Sequence, residues 1–228
     1  MHSVQARPDF IDHLGKYGST AEGAGAFFDA VYYATKHAML FFLGPAGQAT
    51  AAKVATFADT TSAALGWPDL VSSGNQLRHS YAAWSSSEPS KSASMFKQII
   101  HDSASLTVSG SEGMRALAMA GVVGISSSSP ILSMGVNGGF FVLDSMGFVD
   151  AAHELCKENQ TPEDTAIQKT RLVKHGSRWI MAVLGLISLI YTHVWFSLVC
   201  LFAGTVSLLA KTRLFSLEQS KKDNALPK

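Results

Sequence analysis

The chain has 228 residues, 47% of them hydrophobic and only 15% charged, with a formal net charge of +1. Soluble domains carry nearer a quarter charged residues, so the deficit points toward a membrane. Near-neutrality gives nucleic acid no electrostatic footprint, and no arginine-rich run or zinc-knuckle spacing occurs.

Two cysteines, Cys156 and Cys200, cannot build a disulfide framework, which fits a reducing compartment or a cytosol-facing membrane. No apolar core of signal-peptide length follows residues 1–8.

In chain order the elements read as helices. Glu22, Asp29 and Lys36 recur at seven-residue spacing on one face, with Phe27, Val31, Ala34, Ala38 and Phe41 on the opposite face. Gly44-Pro45 ends that helix. An alanine-rich helix over about 46–65 leads to Gly66-Trp67-Pro68. The next carries Leu70, Gly74, Leu77, Tyr81 and Trp84 on one stripe, against Ser72, Asn75, Gln76, His79 and Ser80. Such a helix packs on a bundle, or lies on a membrane surface anchored by Tyr81 and Trp84. With Arg78 its only firm cation, binding to lipid would rest on apolar insertion. A Ser-rich link over 85–94 follows, then a helix over about 95–106.

Residues 116–143 are uncharged but rich in glycine, and the serines of 126–129 with Pro130 mark a break. This stretch reads as a re-entrant or interfacial element, or as a helix–loop–helix on its neighbours. Thr161-Pro162-Glu163-Asp164 is a helix start, with a capping threonine, proline in the first turn and acids behind it. No alternating strand pattern of useful length occurs, so the expected fold class is all-α.

The clearest membrane signal is 179–210, which lacks any acid, Lys or Arg. One straight helix of that length would be about 48 Å long, against a hydrocarbon core of roughly 30 Å. Arg171, Lys174 and Arg178 precede the run, and Lys211, Arg213, Lys221 and Lys222 follow it. Positive charge at both ends favours a hairpin with both flanks cytosolic, bent at Tyr191-Thr192-His193. Its short arms imply local thinning or a wedge that does not fully cross.

Enzyme chemistry is not visible. There is no phosphate-cradling glycine loop between a strand and a helix, and no serine nucleophile elbow. His153, Glu154 and Cys156 do not make a metal site. His101-Asp102 reads as an ordinary surface pair, and Asp144 as an acid either buried and paired or facing water. The expectation is a non-enzyme without catalytic, metal or cofactor residues.

Taken in order, several segments resemble the peroxin-11 family of peroxisomal and glycosomal membrane proteins. They are Phe10-Ile11-Asp12-His13-Leu14, the stretch from Phe28 to Tyr33, Gly139-Phe140-Phe141-Val142-Leu143-Asp144 with Met146-Gly147-Phe148-Val149, and Ser177-Arg178-Trp179 leading into an apolar helix. Gly18-Ser19-Thr20-Ala21-Glu22 stands where the family has Gly-Arg-Asp-Lys, and Asn75-Gln76-Leu77-Arg78-His79 is a reduced form of its basic helix.

The resemblance implies an integral, multi-pass protein of the peroxisomal or glycosomal membrane with cytosolic termini, its amphipathic helices followed by a C-terminal transmembrane helical hairpin. It would act in organelle elongation and fission, self-associate as a homo-oligomer, and meet an adaptor and a dynamin-type GTPase. The alternatives are a bacterial effector inserted in a host vacuole (inclusion) membrane, or a small-metabolite pore. The chain then divides into an N-terminal amphipathic region (1–110), a Gly/Ser-rich segment with a connecting helix (111–170), a membrane hairpin (171–215) and a polar tail (216–228). The expected partner is the lipid bilayer, through Leu70, Leu77, Arg78, Tyr81, Trp84, Trp179 and Trp195, with no role for nucleic acid.

Overall fold

The computed structural model describes residues 17–18, 20–41, 44–86, 92–158, 160–191 and 193–225. The chain is all-helical, with no strand among the described residues. Its main helices are α1 (Ala21–Phe41), α2 (Pro45–Leu65), α3 (Trp67–Ser85), α4 (Ser92–Met119), α5 (Pro130–Leu155), α6 (Pro162–Ser188) and α7 (Val194–Ala225). The segment 10–14 and the side chain of Glu22 lie outside the described residues, as do 87–91 of the serine-rich link and Thr192 of the bend.

Local chemistry sets the helix boundaries. Pro45, Pro68, Pro130 and Pro162 each fall in the first turn of a helix, where a missing N–H costs nothing and the fixed φ is already helical. The Thr161 hydroxyl accepts from the Asp164 N–H at 3.0 Å and caps α6 as expected. The 116–143 stretch is a helix–loop–helix: α4 ends at Met119, Gly121 takes φ +72°, and α5 starts at Pro130. The helix expected over 95–106 runs on to Met119, and Leu70 and Trp67 of α3 pack against its Gly110 and Gly113.

Six helices close a ring. α1 packs on α2 and α7, α4 on α2 and α5, and α6 on α5 and α7, while α3 lies along α4. Each ring neighbour is antiparallel. Phe28 meets Phe57, Thr60 meets Met119, Lys97 meets Asp150, Asn137 meets Gly185, and Tyr33 meets Gly204. The turns after α1, α4 and α6 therefore gather at one end. The turn after α5 lies at the other, with Tyr17 and the end of α7, whereas Gly66, the turn after α2, sits beside Glu112 of α4.

Both faces of α1 reach the surface: Asp29 is exposed while it bonds Ser62 of α2 at 2.6 Å, and Phe27 is 56% exposed. Side-chain direction departs from the sequence reading in two places. The His101–Asp102 pair forms at 3.1 Å, but its acid is not on the surface: Asp102 is buried and also accepts from Ser80 at 2.5 Å and Gln98 at 2.8 Å. In α3 the stripe divides. Leu70 and Leu77 are half-buried and Leu70 reaches the α4 glycines, but Tyr81 and Trp84 face out against each other at 5.9 Å. Ser73, bonded to Ser105 of α4 at 2.9 Å, is buried in their place.

Candidate membrane surface and the charged chamber beneath it

The end formed by the turns after α1, α4 and α6 is uncharged in sequence. Residues 38–52, 116–143 and 179–210 contain no Asp, Glu, Lys or Arg. It is also apolar at its surface: Val122, Ile125, Ile131, Tyr191 and Trp195 are exposed there, and Ile190 is 92% exposed. Among the described residues two helices, within 130–155 and 195–222, are long and apolar enough to cross a membrane. The expected hairpin arm before the bend is not one of them. It is the last part of α6, an amphipathic helix whose uncharged portion from Trp179 to Ser188 spans about 15 Å.

The first charged residues beyond these runs converge. Asp144 of α5 is fully buried, and its Oδ1 lies 2.8 Å from Nδ1 of His175 on α6. Its Oδ2 is 3.4 Å from Nε of Arg178, an ion pair without hydrogen-bond geometry. The Arg178 guanidinium stacks over the Phe140 ring at 4.5 Å. Gly147 makes the approach possible, because a Cβ there would run into the His175 ring. One turn on, the Trp179 indole donates to Ser145 at 3.1 Å and packs on Phe141.

At the ring's centre is a chamber of about 340 Å³, to which all seven helices contribute. Asp29, Ser62, Asp69, Gln76 and Glu112 face it from α1 to α4, and Phe140, Arg178 and Lys211 from α5 to α7. Asp29 keeps accessible surface toward the chamber although protein surrounds it, and that burial pushes its carboxyl up despite Ser62 and Lys211. Burial also raises Glu112 to about 7, with Asp29 and Asp69 adding to the rise and Arg178 and Arg115 opposing it. Arg115 is held by both oxygens of Asp59 at 2.6 Å. At Asp102, burial favours the neutral acid, but hydrogen bonds from Ser80, His101 and Gln98 win and hold its carboxyl below the usual range.

The Glu112 carboxyl makes stability depend on pH. Between its ordinary 4.5 and about 7 the folded chain holds a proton that the unfolded chain has released. This contribution is full below pH 4.5 and is lost as pH rises through about 7, a change of no more than about 3 kcal/mol. Urea unfolding of the detergent-solubilised chain from about pH 5 to about pH 8 should show the decline, and Glu112→Gln should flatten it. An equal slope in both proteins would show that Glu112 is not the group responsible.

Of the residues expected at the lipid surface, Trp195 lies at the uncharged end and Trp179 where the charged groups begin; both are exposed. Arg78, Tyr81 and Trp84 are exposed on α3, outside the ring, while Leu70 and Leu77 face α4. The chamber was missed from sequence because its charged members come from separate helices and share no local spacing.

No protein-family model, no curated protein and no solved structure matches the chain.

Proposed function

We propose that this is a non-enzymatic membrane protein that inserts its uncharged end into the bilayer from the cytosolic side. Both termini and the charged end would stay in the cytosol. One observation carries the reading: two uncharged stretches, 116–143 and 179–210, meet at one end and present isoleucine, valine, tyrosine and tryptophan to the surroundings. The uncharged parts of α5, α6 and α7 reach about 21, 15 and 25 Å, which fills one leaflet and stops short of a complete crossing of about 30 Å. Material added to one leaflet expands it relative to the other and bends the membrane. That mechanism suits elongation and division of an organelle, and the resemblance to the peroxin-11 family points to the peroxisome or glycosome, with self-association and recruitment of fission proteins.

A membrane-impermeant maleimide tests the insertion. Native Cys156, exposed at the opposite end, should react in membranes and in detergent alike. Ile190→Cys, made with Cys156→Ser and Cys200→Ser, should react only in detergent. Labelling of Ile190→Cys in intact membranes would defeat the proposal. A fluorescent tag on the full chain then reports the organelle, because a rim around a bacterial vacuole would replace the peroxisomal assignment.

A further inference from the structure

A groove between α6 and α7 combines apolar walls with unmatched positive charge. Its volume, about 540 Å³, falls within the range of small-ligand pockets. Val173, Val206 and Leu209 give it apolar walls, and among the described residues Lys169 and Arg213 are the only charged side chains lining it. Both are exposed, and neither has a hydrogen bond or ion pair among the described residues. The acids of these helices are engaged elsewhere: Asp164 is held by Lys221 at 2.7 Å and Glu218 by Arg171 at 2.8 Å. A cleft lined by one sign of charge concentrates the opposite sign, so the groove favours an anion.

The apolar walls continue as a lane along α7. Leu209, Val206, Phe202, Val199 and Trp195 follow Arg213 in steps of four and three, which puts them on one helix face. Phe202 is 71% exposed, and Leu209, Val199 and Trp195 are exposed with it. From Leu209 to Val199 the lane rises about 15 Å, the depth of one leaflet of a core of roughly 30 Å. Arg213 lies two residues beyond Lys211, the first charge after 179–210, and so stands at headgroup level if the uncharged end is inserted. Free phosphate would meet the cations and leave the lane bare. An amphiphile with an anionic head meets both.

We propose that the groove holds one anionic glycerophospholipid, its phosphate on Arg213, its headgroup toward Lys169 and an acyl chain along Leu209, Val206, Phe202 and Val199. Arginine suits the phosphate because its planar fork donates two parallel N–H bonds. The depth of the site rests on the insertion proposal; the groove and its cations do not.

Native mass spectrometry of the full chain, released from detergent micelles with equal phosphatidylglycerol and phosphatidylcholine, tests the proposal. The native chain should retain phosphatidylglycerol about twentyfold over phosphatidylcholine, and Lys169→Gln and Arg213→Gln should each lower that ratio about fivefold. The double variant should lose the preference, while Lys53→Gln, which removes an exposed cation from α2, should keep it. Leu209→Asn should weaken retention of both lipids, and circular dichroism confirms that each variant keeps its helix content. Glycerol phosphate should not displace the lipid; displacement would make this a site for free phosphate and overturn the proposal. It is overturned equally by equal retention of the two lipids, by a preference that survives in the double variant, or by one lost in Lys53→Gln as well. A dimer that carries no lipid would mean that a second copy covers the groove instead. Because the lipid is offered in micelles, the result stands whether or not the chain inserts. Insertion is read separately by the Ile190→Cys labelling, and protection there without lipid preference in micelles would remove the groove alone.

Discussion

Asp144→Ala is expected to lower the stability of the folded chain by about 3–5 kcal/mol. Asp144 is fully buried between α5 and α6, and both its partners, His175 and Arg178, are themselves largely buried. Alanine removes the acceptor of the 2.8 Å bond to His175 and the counter-charge of Arg178 together. Stranding such a charge costs more than the pair itself contributes, because the remaining group has lost its water and gains no partner. Arg178 cannot easily swing away, since its guanidinium lies on Phe140. Asp144→Asn keeps the shape and an acceptor for His175, so its loss should be clearly smaller. Urea unfolding in detergent, followed by circular dichroism, gives the order native, Asn, Ala. Equal stability of the alanine variant would mean that α5 and α6 are held by their apolar contacts alone.

Boundaries were legible in the sequence, and directions were not. The Thr161 cap, Gly44-Pro45, the break before Pro130 and the turn after Ser188 follow from backbone chemistry confined to a few neighbouring residues. Periodicity also shows that α1 has two faces. It does not say which of them meets the other helices: Asp29 bonds Ser62 of α2, while Phe27 on the opposite face is exposed. Asp102 was read as a surface group, although Ser80 and Gln98, from two different helices, enclose it. Trp179 and Trp195 were readable because each borders an uncharged run. Glu112 and Arg178 were not, since only the closure of the ring brings α4 and α6 around one chamber.

Ile131→Lys combined with Ile190→Lys should release the chain from membranes almost completely. Both side chains are at the uncharged end and project freely, 79% and 92% exposed. Ile131 opens α5 and Ile190 lies at the turn into α7, so a wedge inserted by this end carries both at its leading edge. A lysine at the centre of a membrane helix costs about 2.5–3.5 kcal/mol on insertion scales, and the two sites lie on different helices. Together they should shift the balance by about 5 kcal/mol or more, a factor of roughly several thousand upward. The same variant separates a wedge from a full crossing. If the turns emerged on the far side, both ammonium groups would reach water there and the variant would stay bound. Val71→Lys is the control, since Val71 is 66% exposed on α3, away from this end. Flotation of the full chain with vesicles, and its resistance to carbonate extraction, should show the double variant free while the control stays bound. A control released as readily as the double variant would mean that α3, with Tyr81 and Trp84, holds the membrane instead.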